Sequence, residues 1–190
     1  KLLGITKKTK DGIELRVHPT LIPAKRLIAN VEGAMNAVQV MGDAVGTTLY
    51  YGKGAGSEPT ASAVIADLVD VARLQTADPE HRVPHLAFQP GSMVNTSIMP
   101  MGEVTTSYYL RLRVADVAGV LADITRILAD NGISIDAMLQ REAGDGEKQT
   151  DLIMLTHETK EKNILAAIAK VEALKTVEGS VTKIRLENLS

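Results

Sequence analysis

The sequence has no cysteine and no tryptophan, and its aromatic residues are one phenylalanine and four tyrosines. The absence of cysteine excludes disulfides, thiolate metal sites and thiol nucleophiles. It also fits a reducing compartment, so we expect a cytoplasmic protein. So few aromatic rings leave few platforms on which nucleic-acid bases could stack.

An excess of one charge and a long hydrophobic run are missing as well. The 21 basic and 23 acidic residues give a net charge of −2, which creates no general field to gather nucleic acid or an anionic membrane. No apolar run reaches the ~18 residues that span a bilayer. We therefore expect neither a nucleic-acid nor a membrane partner. With 45% apolar and 23% charged residues, the composition is typical of a folded chain of one large or two small domains.

The sequence begins at Lys1, and its first methionine is Met35. We therefore expect a fragment of a longer protein, so that a site inferred from it can be one half of a larger site.

A stretch rich in proline and glycine separates two well-patterned regions. Residues 76–106 contain four prolines, and each proline removes a backbone donor and restricts the residue before it. We predict a linker there, between a first domain at residues 1–75 and a second at residues 107–190. Its apolar residues indicate that part of it packs on a neighbour as a short strand.

The first region is predicted to contain strands, a glycine-rich loop and a helix, in that order. Ile13, Leu15 and Val17 alternate with polar residues after an Asp-Gly pair, which indicates a hairpin. The loop at residues 52–56 precedes a helix opened by Pro59. Such a loop lets backbone donors approach a phosphate, but its glycine spacing matches neither common nucleotide-binding pattern. A purely structural turn is the alternative.

The second region predicts the order β-α-β-β-α-β. Alternating strand patterns flank two helical patterns, and the strands fall at residues 110–114, 133–139, 152–156 and 181–186. We therefore predict an α+β protein in which a ferredoxin-like domain follows a partial domain of strands and one helix. Both helices should cover one face of a four-stranded antiparallel sheet, which leaves the opposite face open unless a partner covers it.

Two features are candidate sites on chemical grounds. Asp116 and Gly119 precede the first helix of the second region, where free N–H groups can bind a carboxylate while the acid receives an ammonium. An amino acid carries both charges, and helix capping by Asp116 is the alternative.

His81 and His85 have the spacing of two zinc ligands on a helix, but Pro84 interrupts that helix. We therefore expect loop histidines and no metal site.

Residues 36–73, which read NAVQVMGDAVGTTLYYGKGAGSEPTASAVIADLVDVAR, resemble the end of the catalytic region of bacterial homoserine dehydrogenases. The resemblance implies NAD(P)-dependent interconversion of L-homoserine and L-aspartate 4-semialdehyde in threonine, methionine and isoleucine biosynthesis. It also implies that Gly54, Ala55 and Gly56 lie near the nicotinamide of NADP or NAD, with Lys53 in place of the family's usual proline. The main dinucleotide fold and the catalytic residues are expected upstream, so this fragment alone should be inactive.

The string VADVAGVLADITRILADNGISIDAMLQ resembles an ACT domain. The resemblance implies a homo-oligomer, formed through the catalytic tail and the ACT domains, and a regulatory amino acid, usually L-threonine, bound between paired domains. The implied effector site consists of Asp116, Val117, Ala118, Gly119, Val120, Asn131, Ile133 and Ile135. Ala118 replaces the usual proline of the turn. Two alternatives stay open: a non-enzymatic ACT module fused to a different upstream domain, and an ACT scaffold that only oligomerises.

Overall fold

The structure, a computed structural model, describes residues 1–78, 87–141, 144 and 146–189. The chain forms two compact units: residues 1–23 with residues 96–190, and residues 24–95. We call them the sheet unit and the middle unit. This grouping differs from the division expected from the sequence, because residues 1–23 join the later part of the chain.

The described residues contain nine strands and three α-helices. The strands are β1 (Leu2–Thr9), β2 (Gly12–Leu21), β3 (Met35–Gly42), β4 (Gly46–Lys53), β5 (Thr105–Ala115), β6 (Ile135–Gln140), β7 (Gln149–Thr156), β8 (Thr159–Lys160) and β9 (Val177–Leu186). The helices are α1 (Ser57–Thr76), α2 (Val120–Asp130) and α3 (Glu161–Glu172).

The sheet unit contains the predicted ferredoxin-like domain. Its strands follow the order β1-β2-β9-β5-β7-β6, and β8 pairs with β5. Strands β5, β6, β7 and β9 with helices α2 and α3 give the β-α-β-β-α-β order, which confirms the α+β fold class. The short β8 is an addition that the periodicity did not indicate.

One hydrophobic core joins the helices to a single face of this sheet. Alternate residues of β5 are buried, because side chains in a strand point to opposite faces in turn. The buried side chains of β5 and β7 pack with those of α2 and α3, and the cluster comprises Tyr108, Leu110, Leu112, Val114, Val120, Ile124, Leu128, Ile133, Leu152, Met154, Ile164, Ala167 and Val171.

The β1–β2 hairpin is present as predicted, but it buries its polar side. Strand β1 pairs antiparallel with β2 over the whole length of β1. Glu14 and Arg16 are buried, whereas the side chains of Leu15 and Val17 are 57% and 72% exposed. An amphipathic sheet normally buries its apolar face; here the buried Arg16 forms ion pairs with Glu14 and Glu187, although its Nε has no hydrogen-bond partner among the described residues.

The end of the predicted linker packs on this hairpin, as expected from its apolar residues. Ile98 forms a parallel bridge with Ile13, and the N–H groups of Ile13 and Met99 each donate a 2.9 Å hydrogen bond across it. The backbone at Gly12 has a φ of +139°, and a Cβ there would lie 2.5 Å from the Ser97 carbonyl oxygen. The close approach therefore requires glycine.

The middle unit has no comparable core among its described residues. Strands β3 and β4 form a separate two-stranded antiparallel sheet. Helix α1 has no buried residue, so its predicted apolar stripe is exposed, with Ile65 and Leu68 at 60% and 64%. Across the residues that the structure describes, no helix is long and apolar enough to cross a membrane.

Candidate functional site

The glycine loop forms the turn between β4 and α1. Gly56 immediately precedes α1 with a φ of +136°, and its carbonyl oxygen accepts a 3.0 Å hydrogen bond from the N–H of Thr60. A Cβ at Gly54 would lie 2.4 Å from the side-chain nitrogen of Asn36. Gly56 thus requires glycine for its conformation, whereas a side chain at position 54 would have to displace the Asn36 side chain of β3.

This loop can accept an anionic group. No side chain makes a capping hydrogen bond at the start of α1. Pro59 has no N–H and the Thr60 N–H is bonded to Gly56, which leaves the N–H groups of Ser57 and Glu58 where the helix dipole favours negative charge. Gly54, Ala55 and Gly56 are exposed. The predicted cofactor residues therefore lie together as one accessible backbone surface.

The turn before α2 is the first part of the predicted effector site. Gly119 immediately precedes the helix in a left-handed conformation, with a φ of 96°, and no side chain makes a capping hydrogen bond there. Asp116 is exposed, and its backbone N–H donates to the Lys148 carbonyl oxygen at 3.0 Å. The capping alternative for Asp116 is therefore not found in the structure.

A small cavity lies beside this turn. Its volume is about 160 Å³, below the ~300–1,000 Å³ of sites for drug-sized ligands, so it suits a small molecule. Four predicted effector residues line it together with five others: Val114, Ala115, Val117, Ala118, Gly119, Val120, Leu121, Gln140 and Leu152. The lining is mostly apolar, and Gln140 contributes a polar side chain.

The other predicted effector residues lie at the opposite end of α2. Asn131 follows this 11-residue helix, which is about 16 Å long at 1.5 Å per residue. The Asn131 amide donates a 2.6 Å hydrogen bond to Ile127 O and accepts one from Lys170. Ile133 is 4% exposed within the core, and Ile135 packs against that core. One chain therefore does not bring the two halves of the predicted site together.

Gln140 is the polar residue among the five cavity residues that the sequence reasoning missed. Strand β7 pairs antiparallel with both β5 and β6, so β5 and β6 run in the same direction and end at the same edge of the sheet. That edge holds the turn before α2, and Gln140 is the last residue of β6. The predicted β-α-β-β-α-β topology already implied that the end of β6 lies at this edge.

A larger polar hollow lies on the sheet face opposite the helices. It has a volume of about 310 Å³ and is lined by Arg111, Leu112, Arg113, Asp151, Glu178, Ser180 and Thr182. Arg113 is paired there with Glu147 and Asp151, with its nitrogen atoms 3.0 and 3.8 Å from their carboxylate oxygens. The hollow contains none of the predicted effector residues.

No metal-binding cluster is found in the described part of the chain, where no three His, Cys, Asp or Glu side chains could hold an ion together. His81 and His85, considered above as a zinc pair, lie outside the described residues.

Comparison with known proteins matches each of the two regions to a known family. The family model of homoserine dehydrogenase matches residues 1–69, and the ACT domain model matches residues 108–175. The chain is 56% identical to a homoserine dehydrogenase of Neisseria gonorrhoeae and 54% identical to one of Pseudomonas aeruginosa, and in both cases 100% of the chain is covered. It spans 43% and 44% of the length of those two relatives.

Solved structures give the same result. A crystal structure of a homoserine dehydrogenase from Thiobacillus denitrificans is 68% identical with a TM-score of 0.90, and the match covers all of this chain and 42% of that one. A homoserine dehydrogenase structure from S. aureus is 25% identical with a TM-score of 0.56, over 99% of this chain and 41% of that chain.

Proposed function

Because the chain belongs to the homoserine dehydrogenase family and carries an ACT domain, we propose that it is part of an NAD(P)-dependent enzyme that interconverts L-homoserine and L-aspartate 4-semialdehyde. The observation that supports this most strongly is the 56% identity to a curated homoserine dehydrogenase across the whole chain. The reaction belongs to the biosynthesis of threonine, methionine and isoleucine.

The activity test compares the full-length enzyme with this chain. We expect L-homoserine-dependent formation of NADPH or NADH by the full-length enzyme and none by residues 1–190, because the proposed catalytic residues are not among them. A full-length protein that is folded yet inactive with both cofactors would contradict the proposal. Turnover by residues 1–190 would contradict the assignment of the catalytic residues elsewhere.

For the glycine loop we propose contact with the nicotinamide part of the cofactor through Gly54, Ala55 and Gly56. The exposed backbone of the loop supports this role. A side chain at Gly54 would collide with Asn36, so a Gly54→Ala variant of the full-length enzyme should raise the KM for NADP or NAD. A Gly52→Ala control has open space around the added Cβ; equal effects of the two substitutions would argue against the contact.

For the ACT domain we propose binding of a regulatory amino acid, with L-threonine as the first candidate. The cavity beside the turn before α2 and the uncapped helix start support a site for a small carboxylate. Because Asn131, Ile133 and Ile135 lie at the far end of α2, we propose that they act on an effector held by the turn of a second copy. The enzyme is then a homo-oligomer, joined through its ACT domains and its catalytic-tail region, in the cytoplasm.

Calorimetry with L-threonine separates the sensor from its alternatives. Saturable heat with the wild type that is lost in Asp116→Ala would support an amino-acid sensor, and no heat at millimolar ligand would favour the ACT domain as an oligomerising scaffold. The third alternative, a non-enzymatic ACT module fused to another domain, is opposed by the match of residues 1–69 to the homoserine dehydrogenase model.

A further inference from the structure

Three charged side chains in one row connect two parts of the sheet unit. Residues two apart in a strand lie on the same face, which places Lys183 and Arg185 of β9 in one row with Glu187, the residue after the strand. The N–H of Glu187 donates to Leu21 O at 3.0 Å and so continues the pairing beyond β9. We call these three residues the β9 row.

The first two members of the β9 row bind the start of α3. Arg185 donates two hydrogen bonds to the Glu161 carboxylate, from Nε at 2.8 Å and from Nη2 at 2.6 Å, and the Lys183 ammonium contacts the same group. The hydroxyl of Tyr108 adds a fourth hydrogen bond at 2.7 Å. Burial would raise the pKa of Glu161, but these hydrogen bonds outweigh it and lower the pKa to about 2. The first residue of α3 is therefore a charged group tied to β9.

The third member of the β9 row binds the N-terminal hairpin. One Glu187 carboxylate oxygen lies 2.6 Å from Nη2 of Arg16 on β2, and the other lies 2.9 Å from Nζ of Lys7 on β1. The Arg16 side chain is only 1% exposed. Removal of one partner of a buried ion pair is strongly destabilising, and without Glu187 the Arg16 guanidinium would keep only its longer, 3.2 Å pair with Glu14.

The backbone contributes little to this attachment. Strands β2 and β9 pair in parallel only at Thr20 with Arg185 and at Leu21 with Leu186, the pairs that the structure describes. By contrast, all eight residues of β1 pair with β2. The position of the hairpin against the ACT sheet therefore depends on side-chain ion pairs more than on a strand ladder.

We propose that the β9 row couples the ACT domain to the homoserine dehydrogenase segment. The cavity beside the turn before α2 includes the first residue of that helix, α2 contacts α3, and α3 begins at Glu161. A shift of α3 on effector binding moves Glu161, and the β9 row transmits that movement to Arg16 in the hairpin. The hairpin lies within the segment that matches homoserine dehydrogenase. The regulatory part of this inference rests on the proposed effector function and adds the residues that carry the signal.

The regulatory test uses Glu187→Gln in the full-length enzyme. We expect L-threonine to bind with a Kd within threefold of the wild-type value, while the change in activity that it causes falls at least fivefold. If Glu187 had a purely structural role, its replacement would change both the L-threonine affinity and the activity response, or would leave both intact. The matched control is Glu147→Gln, which removes a half-exposed carboxylate paired with Arg113 and should keep the full response. A wild-type response in Glu187→Gln would overturn the proposal.

A second measurement tests the link without any effector. Hydrogen exchange of the full-length enzyme should be at least threefold faster across residues 2–21 in Glu161→Gln than in Glu147→Gln, although the Glu161 carboxylate contacts Tyr108, Lys183 and Arg185 and not the hairpin among the described residues. Lys183→Gln is a milder variant that leaves Arg185 on Glu161, and it should show a smaller increase. Equal exchange in all three variants would overturn the link. If wild-type enzyme fails to bind L-threonine, the effector proposal fails, and the exchange result still decides whether the β9 row couples α3 to the hairpin.

Discussion

The ACT region and the middle unit differ most in what they bury. The ACT helices and strands enclose one continuous core, in which Ile124 and Ile164 are completely buried. None of the described residues of the middle unit is buried, although α1 carries a row of exposed apolar side chains. Helices in proteins derive most of their stability from packing an amphipathic face. The ACT region therefore contains the main source of its stability, whereas the described residues provide no such packing for α1.

The largest difference between the two regions is expected when one isoleucine in each is replaced by alanine. Ile124→Ala on α2 should lower the free energy of unfolding by about 2–5 kcal/mol, because it leaves a cavity in a packed core. Ile65→Ala on α1, at 60% exposure, should change it by less than about 0.5 kcal/mol. Urea denaturation of the chain measures both values, and similar losses for the two variants would refute the contrast.

Acid titration tests how much one buried charge of the ACT region, Glu161, contributes to stability. The pKa of Glu161 is lowered from 4.5 to about 2 in the folded chain, so its contribution to stability is complete above pH 4.5 and is lost as the pH falls toward 2. Replacing it with glutamine should cost about 3 kcal/mol at neutral pH, because Arg185 and Lys183 lose their partner. The Glu161→Gln variant should also lose less of its free energy of unfolding than the wild type as the pH falls from 4.5 toward 2.

The measurement is the free energy of unfolding by urea at several pH values. Glu147→Gln is the control, since its carboxylate is 53% exposed and an exposed pair contributes about 0–1 kcal/mol. A Glu161→Gln variant that loses as much stability as wild type between pH 4.5 and 2 would show that Glu161 is not the responsible group.

A smaller effect is expected where residues 96–99 meet the hairpin. Gly12→Ala should cost about 1–3 kcal/mol, because the new Cβ meets the Ser97 carbonyl and the backbone has a positive φ. Gly52→Ala in the middle unit has no neighbour within 4 Å and should be nearly neutral. Thermal unfolding of both variants provides the comparison, and a neutral Gly12→Ala would mean that residues 96–99 do not hold the hairpin closely.

The predictability of the site differed between its two halves. The turn at Asp116 to Gly119 was located from the sequence, because a strand must lead into a helix there, and the cavity lies beside that turn. Asn131 was assigned to the same site from family resemblance, but it lies at the other end of α2, and Gln140 takes the polar position beside the cavity. Periodicity gives the order of elements along the chain; the position of their ends in space follows from strand pairing.

The sequence by itself determined the β-α-β-β-α-β order of the ACT region and the hairpin at the start of the chain. Both follow from local alternation and helical spacing, which act over a few residues. Only the tertiary structure decided that the hairpin buries Arg16 and exposes Val17, because Arg16 pairs with Glu187 from the far end of the chain as well as with the nearby Glu14. A charge can be buried only beside its partner, and no local pattern records a partner that distant.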